Sequence, residues 1–168
     1  YTKTIPKPMI EIAKLPILVH IMKHYSKYGF KDFYIALGYK GNVIKKYFSK
    51  KKFPRWNINL IETGKKTMTG GRLKRLKKYV GEETFMMTYG DGLSDINLRK
   101  LIIFHKKNKK ISTLTAVRPP ARFGVLKLTG SKVDYFKEKS KVDSGWINGG
   151  FFIMEPEIFK YIKNDGTY

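Results

Sequence analysis

The chain has 168 residues, and 35 basic against 13 acidic side chains give it a formal charge of +22. At 42% hydrophobic and 14% aromatic it is too apolar for a disordered basic tail, and it is long enough for one domain with a real core. The absence of cysteine excludes disulfides and thiolate metal sites. The longest apolar run, Leu15 to Met22, is interrupted by His20 and falls far short of the ~20 residues of a membrane span. No charged-then-apolar leader follows Tyr1, so the expectation is a soluble, cytoplasmic protein with no membrane partner.

Taken in chain order, Leu18, Ile21, Met22 and Tyr25 recur at helical spacing after Pro16, and Gly29 stops that helix. Phe33 to Leu37 reads as a buried strand, Gly41 to Phe48 as a short helix, and Ser49 to Asn57 as a loop. Ile58 to Glu62 is the next strand, and Gly70-Gly71 opens a helix with Leu73, Leu76 and Val80 on one face. Thr84 to Tyr89 reads as a buried strand ending at Gly90-Asp91-Gly92. A helix through Leu98, Leu101, Ile102 and His105 follows, then a strand from Ser112 to Val117.

Beyond this point the rhythm changes. Phe123 to Leu128, a turn at Thr129-Gly130-Ser131, and Val133 to Phe136 predict a hairpin. Gly150 to Met154 is a strand, and Pro156 opens a terminal helix through Ile162. Strand and helix alternate for two thirds of the chain. That pattern predicts an α/β fold, a Rossmann-like, mostly parallel sheet with helices on both faces, plus an antiparallel hairpin. All 168 residues read as one domain, without repeat or linker.

The charge admits two readings. A basic surface could bind nucleic acid or anionic lipid. Alternatively, lysines spread over solvated faces, many at helix ends where cations suit the C-terminus. Only Arg55, Arg72, Arg75, Arg99, Arg118 and Arg122 carry the guanidinium fork that base readers favour. The second reading is preferred, and no specific nucleic-acid partner is expected.

Three stretches could carry chemistry. Ligands of such sheets bind outside the carboxyl ends of the strands, where Gly90-Asp91-Gly92 stands. The glycines permit close approach, and the Asp91 carboxylate suits Mg²⁺ shared with substrate phosphates. Thr67-Met68-Thr69-Gly70-Gly71-Arg72 precedes a helix, whose first N–H groups favour anions. In Phe136-Lys137-Glu138-Lys139, alternation puts the two lysines on one face, so Lys139 could aim at a phosphate. His20, His24 and His105 read as helix-face residues, because no third metal ligand is near the first two.

Together with Ile5-Pro6-Lys7-Pro8-Met9, Ala36-Leu37-Gly38-Tyr39, Pro119-Pro120-Ala121-Arg122-Phe123-Gly124 and Ile147-Asn148-Gly149-Gly150-Phe151-Phe152, these stretches occur in one order. The series resembles the sugar-phosphate nucleotidyltransferases over nearly the whole chain. Tyr-Gly-Asp-Gly, Met-Thr-Gly-Gly-Arg and Pro-Pro-x-Arg-Phe-Gly point to the cytidylyl branch. The resemblance implies a nucleotide-diphospho-sugar transferase fold and nucleotidyl transfer from CTP to glucose 1-phosphate. CDP-glucose would serve surface polysaccharide and lipopolysaccharide O-antigen synthesis.

Carried over by motif, Asp91 is the Mg²⁺ ligand and Lys7 neutralises phosphate beside the nucleotide. Thr67, Arg72 and Gly90 become nucleotide contacts. Lys139 grips the sugar phosphate, with Glu138, Asn148 and the Gly124 backbone near the glucose hydroxyls. The resemblance also places a Gly-x-Gly-Thr-Arg loop before Tyr1 and a second acidic metal ligand beyond residue 168. The expectation is therefore a domain incomplete at both ends, inactive alone and homo-oligomeric when complete. Two further departures are Glu138-Lys139-Ser140 in place of Glu-Lys-Pro and a short Phe48–Ile58 connection. The alternatives are a uridylyl- or thymidylyltransferase of the same family, or a basic nucleic-acid-binding module.

Overall fold

A computed structural model describes residues 4–119, 125–137 and 145–167. Strand β3 (Asp32–Leu37) pairs in parallel with β4 (Asn57–Glu62) in unbroken register from Asp32↔Asn57 to Leu37↔Glu62. Its alternation sorts the layers. Phe33, Ile35 and Leu37 join a core with Leu18 and Met22 of helix α1 (Ile17–Lys27) and Ile44 of α2 (Gly41–Lys50). Tyr34 instead faces Tyr79 of α3 (Thr69–Val80), with ring centroids 6.2 Å apart. Helices thus cover both faces, as the period-2 pattern requires of a buried sheet.

Strand β9 (Ile147–Met154) lies between β5 (Phe85–Met87) and β6 (Ser112–Val117) and runs antiparallel to each. The crossover helix α4 (Leu98–Asn108) joins β5 to β6, which are therefore parallel to one another with β9 inserted. β9 is longer than its sequence signal, because Ile147 to Gly149 lack the apolar run that marks residues 150–154. Its side chains alternate between two cores. Phe151 packs with Ile21, Tyr25 and Leu98, whereas Phe152 and Met154 pack with Leu73 and Phe159. Burial of such side chains contributes about 1.5–3 kcal/mol each, as an upper estimate.

Most other elements match their sequence expectation, with three further differences. The β5 ladder stops at Met87 rather than Tyr89. Gly150 (φ +76°) and Phe151 (φ +45°) turn β9 through two left-handed residues and remove the partner that Thr88 and Tyr89 would need. The terminal helix expected after Pro156 is a 3-10 helix, η2 (Pro156–Lys160), its first N–H removed by the proline. Two-residue strands β1 (Glu11–Ile12) and β2 (Leu15–Pro16) form an unexpected ribbon. Ala13 and Lys14 bend it with positive φ, and neither residue type signals such a turn.

The hairpin is present as β7 (Val125–Thr129) and β8 (Lys132–Lys137), with Gly130 at φ +62° in the turn. Phe123, its expected start, lies outside the described residues. Among the described residues no helix is long and apolar enough to cross a membrane. Lysines do finish helices: Lys50 closes α2, Lys77 and Lys78 close α3, and Lys106 and Lys107 close α4.

Candidate active site

Tyr89, Gly90 and Asp91 follow β5 without pairing, and three contacts hold this loop. The Tyr89 ring meets Phe152 edge-on, with centroids 5.9 Å apart. Its hydroxyl accepts a hydrogen bond from Asn148 Nδ2 at 3.1 Å, while Asn148 Oδ1 accepts from the Gly150 N–H at 2.9 Å. Gly90 lies under Pro8, so that a Cβ placed on it would stand 3.0 Å from Pro8 Cγ. The 3-10 turn η1 (Lys7–Met9) therefore rests on the loop, and Lys7 on that turn is exposed. Pro6-Lys7-Pro8, Tyr89-Gly90-Asp91 and Asn148 meet from chain positions about 60 to 80 residues apart.

Asp91 is exposed and makes no ion pair or side-chain hydrogen bond among the described residues. No cluster of three or more His, Asp or Glu there could hold a metal unaided. A single open carboxylate fits Mg²⁺, which characteristically takes one or two protein carboxylates and completes its shell with water and substrate phosphates.

Thr67 and Arg72 belong to a second group, at the carboxyl ends of β3 and β4. Arg72 Nη1 donates to the Leu37 carbonyl at 3.1 Å and to Thr63 Oγ1 at 2.7 Å. Thr63, fully buried, donates its own hydroxyl to the same carbonyl at 2.8 Å. The guanidinium lies flat on Gly38, where any Cβ would come within 2.6 Å of its carbon. Arg72 is thus bound to two strand ends rather than left to solvent.

The start of α3 differs from its sequence reading. The expected anion position at these N–H groups is taken by the chain itself. The Thr167 carbonyl accepts from Gly70 at 2.9 Å and Gly71 at 3.4 Å, and the Asp165 carbonyl accepts from Met68 at 2.8 Å. Glycine is required because a Cβ on Gly71 would fall 2.5 Å from Asp165 Cα. Arg75 fastens the same segment by a two-pronged contact with the Asp165 carboxylate. Thr67 is buried, with its methyl carbon 2.8 Å from where a Cβ on Gly71 would stand.

Gly124, Glu138 and Lys139 lie outside the described residues. His105 is not the plain helix-face residue its spacing suggests. It is 2% exposed, with Nδ1 2.8 Å from Thr113 Oγ1 and Nε2 2.8 Å from Glu155 Oε1. Thr84 donates to the other Glu155 oxygen at 2.8 Å, and these bonds hold the Glu155 carboxyl below its usual pKa. Nothing in a lone histidine on a helix reveals partners 8 and 50 residues away.

No family model matches the chain. Over 184 aligned residues it is 46% identical to the glucose-1-phosphate cytidylyltransferase of Salmonella typhimurium, covering 96% of this chain and 72% of that protein. A D-glycero-alpha-D-manno-heptose 1-phosphate guanylyltransferase of Campylobacter jejuni is 34% identical, with 94% of this chain and 70% of that protein covered. Among solved structures, HddC from Yersinia pseudotuberculosis complexed with GMP-PN superposes with a TM-score of 0.76 at 25% identity. That alignment covers 97% of this chain and 73% of HddC. The order of motifs, the sheet with its inserted antiparallel strand and these relatives agree: the chain belongs to the sugar-phosphate nucleotidyltransferases, within the glucose-1-phosphate cytidylyltransferase family.

Proposed function

We propose that this protein transfers the cytidylyl group of CTP to glucose 1-phosphate, giving CDP-glucose and pyrophosphate in the cytoplasm for surface polysaccharide synthesis. A phosphate oxygen of the sugar phosphate attacks the α-phosphorus in line as the bond to pyrophosphate breaks. The two reactants are both anions, so positioning and charge neutralisation supply most of the catalysis. Lys7, exposed on a turn seated against Gly90, offers a cation to the nucleotide phosphates. Asp91 would hold Mg²⁺, whose charge offsets that of the triphosphate.

Gly90, whose side-chain position Pro8 covers, is assigned to the nucleotide by motif. Thr67 and Arg72 shape the nucleotide side from the ends of β3 and β4. By motif, Asn148, tied to Tyr89, is assigned to the glucose hydroxyls, and Gly124, Glu138 and Lys139 to the sugar and its phosphate. The observation that carries this reading is the seating of Pro8 on Gly90. It brings a lysine turn to a carboxylate loop about 80 residues away in the chain.

Pyrophosphate release by the product of the full reading frame tests it, with Mg²⁺, glucose 1-phosphate and CTP, UTP or dTTP in turn. The expected result is Mg²⁺-dependent release with CTP far above the other two. Equal or greater release with UTP or dTTP would reassign the base, and release with none would reject the enzyme.

A further inference from the structure

The two tryptophans of the chain sit in opposite environments. Trp56 is part-buried, stacks on Phe53 with centroids 4.9 Å apart and donates its Nε1–H to Ser26 Oγ at 2.9 Å. Trp146 is 65% exposed and joins none of the three buried clusters of the described residues. A cation fixes its ring instead: the Arg118 guanidinium carbon lies 4.5 Å from the ring centroid. A large ring held still at the surface is a preorganised contact for a ligand.

The β6–β9 ladder gives its direction. Ala116 pairs with Asn148 and Val117 with Ile147, so Arg118 and Trp146 are the next pair along. Alternation puts Arg118, Trp146, Ala116 and Asn148 on one face, and Val117, Ile147 and Gly149 on the other. Val117 closes against Gly149, where a Cβ would stand 2.8 Å from its Cγ1, so the strands are tightly joined here. Trp146 thus stands one same-face step, about 7 Å, from Asn148. Ala116, opposite Asn148, is exposed and raises only a methyl group, which leaves the floor beside the ring open. Asn148 gives one Nδ2 proton to Tyr89 and accepts from Gly150, and keeps its second Nδ2 proton for a hydroxyl.

We propose that Trp146 determines sugar specificity, its ring stacking on the pyranose whose hydroxyls Asn148 bonds; this rests on the nucleotidyl transfer proposed above. The electron-rich face of an indole attracts axial C–H groups. In α-glucose 1-phosphate the axial phosphate takes one face of the pyranose. The other face presents only the axial hydrogens of C2 and C4. Mannose carries an axial hydroxyl at C2 on that face, and galactose carries one at C4. Either oxygen would lose water to a ring face that offers it no hydrogen-bond donor. Trp146 therefore favours glucose over both epimers.

Steady-state kinetics of the full reading frame's product test this, with CTP and the 1-phosphates of α-glucose, α-mannose and α-galactose, in wild type, W146F and W146A. W146A should raise KM for glucose 1-phosphate about fivefold and leave KM for CTP within about twofold. It should also cut the kcat/KM preference for glucose over each epimer by about fivefold or more. W146F keeps a stacking ring and should retain most of both. Binding is read without turnover from tryptophan emission. CDP-glucose should change the emission of wild type but not of W146F, in which Trp56 alone remains, whereas CDP should change neither. An unchanged KM for glucose 1-phosphate or an unchanged epimer preference in W146A would overturn the assignment and leave nucleotidyl transfer standing. So would a CDP-glucose response that survives in W146F. Wild type that releases pyrophosphate with none of the three sugar phosphates would overturn nucleotidyl transfer itself, and this role with it.

Discussion

Pro8 covers Gly90 so closely that the smallest side chain at position 90 would lie 3.0 Å from the proline ring. The contact joins the turn bearing Lys7 to the loop bearing Asp91. G90A must therefore push the turn and the loop apart. The shift needed is a few tenths of an ångström, so we expect kcat/KM for nucleotidyl transfer to fall by up to about tenfold, a fraction of the ~100-fold that a full ångström of misplacement costs. The thermal midpoint should move little, because Pro8 and Gly90 are themselves only half-buried. Unchanged kinetics would show that Lys7 and Asp91 need no fixed separation.

Replacing Asp91 with asparagine removes its carboxylate charge and leaves the shape of the loop. Turnover should drop by about 10² or more, and more steeply at limiting Mg²⁺. K107Q on the exposed end of α4 serves as the control and should leave turnover within about twofold. A D91N protein with wild-type turnover at limiting Mg²⁺ would remove Asp91 from the metal site.

Arg72 and Gly38 test the second group. G38A places a methyl group 2.3 Å from Arg72 Nη1, so the guanidinium must leave Leu37 and Thr63. Thr63 Oγ1 keeps its own bond to Leu37, which limits the damage to the fold. KM for the nucleotide should rise more than KM for the sugar phosphate in both G38A and R72A. A change confined to the sugar phosphate would place Arg72 on the wrong substrate.

The His105–Glu155 pair predicts an acid-sensitive stability. The Glu155 carboxyl titrates lower in the folded chain than in the unfolded one, first through its bond from His105 and then through that from Thr84. Its contribution is therefore complete above the ordinary glutamate pKa of about 4.3 and fades as pH falls through the depressed folded value. Urea midpoints for E155Q should converge on those of wild type below that window and lie under them at neutral pH. H105A, which leaves buried Thr113 without its partner, should cost about 1–3 kcal/mol. Parallel pH profiles for E155Q and wild type would refute the assignment.

Scattered lysines predict weak, salt-sensitive binding to duplex DNA, lost between about 50 and about 200 mM salt whatever the sequence. Filter binding across a salt series measures it. A sequence preference that survives at physiological salt would make nucleic acid a true partner.

Periodicity and turn chemistry placed α1 through α4 and most of the strands, because a helix stripe or an alternating strand is written within ten or so neighbouring residues. The order of motifs also carried the family, since short phosphate-binding turns need particular residue types wherever they occur. Tertiary structure decided the rest. Two positive-φ residues inside β9 shortened β5, and nothing at positions 88 and 89 announces a partner lost 60 residues away. The start of α3 reads locally as an anion site, yet Thr167 arrives from far along the chain to take the N–H groups of Gly70 and Gly71. The same holds for His105 with Glu155, for Arg72 with Leu37, and for Pro8 with Gly90. Each of these depends on a pairing between distant segments, which is chosen by the packing of whole faces, whereas local sequence records only which faces exist.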